Sequence, residues 1–240
     1  MTPNELESRQ LAMEAEIEEL TKRLGLATDQ IEPIYDGIAD CTAYLSSSPR
    51  VAWILKEPYD SFDDYGKPAD GGWSIPRDCF LKSQKWPVLT WQRVIYIMYG
   101  LKHGQHYAEM DYIRDNPEMG DVLKEIVWLN VSKMPAYSTS IYTFADAYHK
   151  YWRPILLKQI ALYNPEVIVF GNTFSVCKQD IIPTKINPID SVFNKSRCFI
   201  NVFRHERRIL LDVYRPGISS NTEFYVDSII DAIQKHYNKK

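Results

Sequence analysis

Long apolar runs are missing from this 240-residue chain. No stretch approaches the roughly 20 residues that a membrane-spanning helix needs, and the opening is polar and acidic. Neither membrane insertion nor secretion is expected. Cysteine is scarce: Cys41, Cys79, Cys177 and Cys198 lie far apart with no Cys-x-x-Cys pair. That spacing argues against zinc ribbons and a disulfide framework, so reduced thiols in a cytoplasmic protein are expected. There is no Gly-x-Ser-x-Gly, no phosphate-cradling glycine loop and no paired His-Glu helix motif, so serine hydrolysis and nucleotide-cofactor chemistry drop out. Asp60, Asp63 and Asp64 beside Glu57 lack the glycine and terminal glutamate of a calcium loop. His103 and His106 have no Cys or acid at ligand spacing and read as surface residues. No metal is expected.

What is present is an ordinary composition, with 45% hydrophobic and 25% charged residues. It suits one main domain with an added arm. The net charge of −3 hides an asymmetry: residues 1–40 carry ten acids against three bases, and residues 176–215 carry eight bases against four acids. The basic stretch permits contact with a phosphate backbone, although a pI near 6.0 does not demand it.

Met13, Ile17, Leu20 and Leu24 fall at helical spacing among acids and bases, with Gly25 as a stop. Residues 1–48 therefore read as an amphipathic arm packed on the main domain of residues 49–240, with a monomer favoured over a coiled-coil dimer. After Ser46-Ser47-Ser48-Pro49 comes the apolar run Val51–Leu55, a buried strand. A polar loop follows, from Asp60 to Gly72. Residues 87–101 read as a helix. Ile126–Asn130 is a second apolar run ending in a polar side chain. A helix over residues 142–163 closes at Asn164-Pro165, and Val167–Thr173 is a third strand leading into a helix near Phe174–Cys177. Residues Cys198 to Tyr214 form a fourth β unit, a hairpin around Arg204–Arg207, and the last helix covers Thr222 to His236. This alternation predicts an α/β protein: a three-layer αβα sandwich on a mostly parallel four-stranded sheet.

The residues that leave the first strand, Lys56-Glu57-Pro58-Tyr59-Asp60, carry the most functional information. A buried strand that ends in a carboxylate delivers an acid to the sheet edge where α/β proteins bind ligands.

The order of such strand-end residues resembles the uracil-DNA glycosylase superfamily. Leu55-Lys56-Glu57-Pro58-Tyr59-Asp60 stands where its best-known branch has Gly-Gln-Asp-Pro-Tyr-His. Gly71-Gly72-Trp73-Ser74-Ile75 is similar to its base-stacking loop Gly-Leu-x-Phe-Ser-Val, and Trp128-Leu129-Asn130 to its Leu-Leu-Asn strand. Val169-Phe170-Gly171 resembles its Leu-Trp-Gly, and Arg215-Pro216-Gly217 its closing His-Pro-Ser. The resemblance covers about residues 50–235 and leaves the acidic arm unmatched.

It implies catalytic roles for Glu57, handling water and the oxocarbenium-like sugar, and for Arg215, facing the anionic leaving base. Lys56, Tyr59, Trp73 and Asn130 would bind the base: Asn130 reads its edge, Trp73 stacks on its face and Tyr59 excludes bulkier bases. Ile218, Ser219 and Ser220 are the DNA-contact candidates. The implied partner is single- or double-stranded DNA, or a free base or nucleotide. No cofactor is expected, because the four cysteines lack the close pair of the iron–sulfur branches. Arg215 replaces the family's histidine and stays charged at all ordinary pH, which alters leaving-group stabilisation. Two readings follow: a glycosylase that hydrolyses the N-glycosidic bond of a flipped uracil-type base, or a catalytically silent member that binds a base, nucleotide or small polar ligand.

Overall fold

The computed structural model describes residues 1–29, 31–58, 70–83, 85–135, 143–193, 199–218 and 221–237. The strands are β1 (Gly37–Ile38), β2 (Val51–Leu55), β3 (Val127–Asn130), β4 (Val167–Gly171), β5 (Asp190–Phe193), β6 (Phe199–His205) and β7 (Arg208–Val213). They form one mixed sheet in the order β1-β3-β2-β4-β7-β6-β5. The four strands β3, β2, β4 and β7 run parallel, and β1, β6 and β5 are antiparallel to their neighbours. The sheet thus has seven strands, where the apolar runs predicted four. β1 is too short to carry a period, β5 begins with Asp190 and Ser191 and has only two apolar residues, and the fourth β unit contributes two strands, β6 and β7.

The α-helices are α1 (Pro3–Arg23), α2 (Cys41–Ser46), α3 (Leu89–His103), α4 (Thr143–Ala147), α5 (Arg153–Tyr163), α6 (Phe174–Ile181) and α7 (Thr222–Tyr237). They cover both faces of the sheet. Trp53, Val169 and Leu211 point to one side, where Val94 and Ile97 of α3 and Val226 and Ile230 of α7 pack on them. Ala52, Ile54, Ile168 and Phe170 point to the other, against Tyr44 of α2, Leu156 and Ile160 of α5 and Phe174 of α6. Strands buried on both faces read as unbroken apolar runs, and each large side chain so buried contributes about 1.5–3 kcal/mol.

Two expected helices differ in detail. Residues 142–163 are not one helix: a π-helical segment, Tyr148–Trp152, separates α4 from α5. Pro154 stands in the first turn of α5, where its missing N–H costs nothing but prevents an ordinary α-helical bond to the preceding turn. In α1, Thr2 and Glu5 form a capping box, and the buried face carries Leu6, Gln10, Ile17 and Thr21. Leu24, expected on the inner side, is exposed instead. Leu24 lies on the same face as Ile17 and Thr21 but is the C-cap, just past the helix end at Arg23. Nearer the start, the Gln10 amide bonds both the N–H and the carbonyl of Ile38 at 2.8 and 3.0 Å and ties that face to β1. Among the described residues, no helix is long and apolar enough to cross a membrane.

Candidate functional site

The register aligns the ends of the parallel strands. Leu55 lies opposite Asn130, Ile54 opposite Phe170, and Gly171 opposite Val213. The chain leaves β2 towards β3 through α3 on one face, and leaves β4 towards β7 through α6 on the other. Adjacent strands β2 and β4 therefore form the point where connections diverge, and open α/β sheets bind ligands at that crevice. Lys56 and Glu57 follow β2 there. Thr173 spans the gap, its Oγ1 donating to the Ile54 carbonyl at 2.8 Å. Gly171 belongs here because of close approach: a Cβ in its place would sit 2.4 Å from Leu55 Cδ2 and 3.1 Å from Pro216 Cδ.

Asn130 is the most constrained of the expected site residues. Its backbone N–H donates to Asp36 Oδ2 at 2.6 Å, and its carbonyl accepts from Lys133 Nζ at 2.7 Å. Its side-chain Nδ2 donates to the Lys56 carbonyl at 2.8 Å. The residue is buried, 4% exposed, and Oδ1 has no hydrogen-bond partner among the described residues. A buried amide oxygen left in that state costs about 1–3 kcal/mol unless something supplies a donor. Rotating the amide by half a turn would set Oδ1 against the Lys56 carbonyl, two acceptors face to face. The orientation is fixed, and the site offers an acceptor.

Glu57 is 4% exposed, and Lys56 Nζ lies 3.7 Å from its Oε1. The Val131 N–H donates to the Leu55 carbonyl at 2.8 Å, which carries the β2–β3 pairing one step past the strands. Lys56, Glu57 and Asn130 are thereby brought together at one edge, the Lys56 ammonium near the Glu57 carboxylate and the Asn130 amide on the Lys56 backbone.

The remaining candidates stand differently. Arg215 shares the edge through its backbone, since its Cα would be 3.8 Å from a Cβ at Gly171, but the residue is exposed. Trp73 is half-buried against the core under α3. Its segment runs beside residues 31–35, with the Tyr35 N–H donating to the Trp73 carbonyl at 2.9 Å, so residues 31–36 separate it from the extension of β3. Gly71, at φ 105, allows this close packing, because a Cβ there would fall 2.0 Å from the Glu32 carbonyl oxygen. Ile218 is half-buried, its N–H bonded to the Arg215 carbonyl. Tyr59, Ser219 and Ser220 lie outside the described residues, as does most of the loop from Asp60 to Gly72.

Two supports of the edge went unrecognised in the sequence. The first is a buried polar ring under Asn130. Lys133 Nζ donates to Asp36 Oδ2 at 2.5 Å and to Gln159 Oε1 at 2.8 Å, and Gln159 Nε2 donates to Asp36 Oδ1 at 2.7 Å. Burial pushes the Lys133 ammonium below its ordinary pKa, and Asp36 opposes that shift. The second is Arg93, 1% exposed, which bonds the carbonyls of Pro216 and Ile218 and the Thr222 hydroxyl at 2.9, 2.7 and 3.1 Å. It ties α3 to the loop after β7. Gln159 left a trace in the sequence, a polar residue on the apolar stripe Leu156, Ile160 and Tyr163 of α5. Asp36 and Lys133 left none.

No protein-family model matches the chain, and no curated protein matches it significantly.

Proposed function

We propose that the protein is a divergent uracil-DNA glycosylase-type protein, a three-layer αβα sandwich whose strand-end crevice takes a flipped uracil-type base and hydrolyses its N-glycosidic bond. The observation that carries this reading is the Asn130 amide, held in one orientation with its buried oxygen awaiting a donor. A uracil imide supplies an N–H to that oxygen, and its neighbouring carbonyl can accept the second proton of Nδ2. Glu57 is the carboxylate for the water and for the positive charge that grows on the sugar. Lys56 and Arg215 supply cations at the same edge for the departing base. Tyr59 is the further base-binding candidate, while Trp73 stands across residues 31–36 from that edge. DNA is the proposed partner, with Ile218, Ser219 and Ser220 as its contact candidates; Arg93 holds the carbonyls of Pro216 and Ile218.

One observation favours the silent reading. The Arg215 side chain is exposed where the resembling family holds a histidine on the leaving base, so a base can be bound without being released.

Excision from single- and double-stranded oligonucleotides carrying uracil or hypoxanthine decides between them. The expected outcome is cleavage at uracil that falls about 100-fold or more in Glu57→Gln and in Asn130→Ala. Base binding without cleavage selects the silent member. Cleavage indifferent to both substitutions, or neither binding nor cleavage, would sink the proposal.

A further inference from the structure

Buried ion pairs are seldom needed for stability, because apolar residues of similar volume often replace them at no cost. The ring of Asp36, Lys133 and Gln159 therefore calls for another explanation, and its contacts supply one. All three protons of the Lys133 ammonium are used, on Asp36, Gln159 and the Asn130 carbonyl. Both Asp36 oxygens are used as well, by Lys133 and the Asn130 N–H on one and by Gln159 on the other. The ring closes on itself except where it grips the backbone of Asn130, on both sides of that residue's Cα. Beside it, Asn130 Oδ1 has no hydrogen-bond partner among the described residues.

We propose that Asp36 and Lys133 are positioning residues for the Asn130 amide, fixing the acceptor that selects a ligand carrying an N–H at that edge. The inference rests on the reading of Asn130 as the base-contacting residue. Residues 31–36 and α5 are tied by Asp36 and Gln159, so the strand-end peptide is braced from two elements besides its own strand. Such bracing holds a recognition group in productive geometry, and a side chain left without it loses discrimination before it loses fold.

The decisive variant replaces the whole ring with apolar residues, Asp36→Leu, Lys133→Met and Gln159→Leu together. It is expected to melt near the wild-type temperature, to bind free uracil about tenfold more weakly, the effect of one well-made hydrogen bond to a buried group, and to lose its preference for uracil over cytosine. A folded triple variant with wild-type affinity and preference would overturn the proposal. Should that variant not fold, hydrogen exchange and relaxation of the Asn130 side-chain amide in the wild-type protein take its place. A rigid, slowly exchanging amide is expected, loosened in Gln159→Leu, and a freely rotating amide in the wild type overturns the proposal. If the wild-type protein binds no uracil, the functional reading fails on that result, while the amide measurement still decides whether the ring positions Asn130.

Discussion

The two ends of the sheet each carry a lysine–aspartate pair, and the two pairs live in opposite surroundings. Beside β1 and β3, Lys133 and Asp36 meet at 2.5 Å with neither side chain exposed. At the far end, Lys235 of α7 and Asp190 of β5 meet at 2.7 Å with side chains 54% and 24% exposed. The separations are nearly equal, so separation does not distinguish them. Water does: it screens the outer pair and would solvate either partner if the other left, whereas the inner pair has only its own ring. The inner pair is therefore costly to break, and the outer one is a cheap tie between α7 and the edge strand. The polar investment lies at the end of the sheet that holds Asn130.

Breaking the inner pair from one side gives the largest expected effect. Asp36→Asn leaves the Lys133 ammonium buried without its counter-charge and should lower stability by about 3–5 kcal/mol at neutral pH, read from urea denaturation. Burial already holds the Lys133 pKa below its ordinary value. A lysine with a folded pKa below its unfolded one destabilises the fold while it is protonated, and that penalty lifts as pH rises through the folded pKa. The variant should accordingly recover stability on the alkaline side. A loss under about 1 kcal/mol, or one without that recovery, would place the inner pair in the same class as the outer one.

The difference between the two ends was only partly legible in the sequence. β2, β3 and β4 announce themselves as unbroken apolar runs because helices cover both faces, and Glu57 and Asn130 stand out as the polar residues where such runs stop. β1 and β5 do not, one being two residues long and the other carrying Asp190 and Ser191 in a half-exposed alternation. The inner ring is illegible for a different reason. Asp36 and Lys133 are 97 residues apart, and Asp36 and Gln159 are 123 apart, so only the crossover topology brings them together. Arg93 shows the same limit: it reads as one more residue of an amphipathic helix until the loop after β7 folds onto it.

Asp212 tests whether the outer half of the sheet is as forgiving as its surface pair suggests. It lies on β7 opposite Asn201, and burial pushes its carboxyl up to about 6, against the opposing pull of the Asn201 hydrogen bond and Lys178. The folded pKa stands above the unfolded one, so the folded state binds the extra proton. Stability is then unaffected below about pH 4, falls as pH rises towards 6, and carries the full penalty above that. Asp212→Asn removes the penalty and should raise stability at pH 7 by about 1–2 kcal/mol, after allowance for partial exposure, with no gain at pH 4. A gain of the same size at both pH values would point to packing and not to charge. Destabilisation at pH 7 would mean that this half of the sheet depends on its buried carboxylate as the other half depends on Asp36.

The smallest effect belongs to the outer pair itself. Hydrogen bonds from Lys235 and then from His236 hold the Asp190 carboxyl down at about 2. With the folded pKa below the unfolded one, the stabilisation is present above about pH 4 and is lost as pH falls towards 2. Solvent reaches this pair, so Asp190→Asn should cost less than about 1 kcal/mol at pH 7, and raising the salt concentration should shrink that cost further. The Asp36→Asn cost, shielded from solvent, should hardly respond to salt. Denaturation of both variants at low and high salt reads the contrast directly. Equal salt responses would mean that water reaches both pairs alike, and the rigid support under Asn130 would then have lost its physical basis.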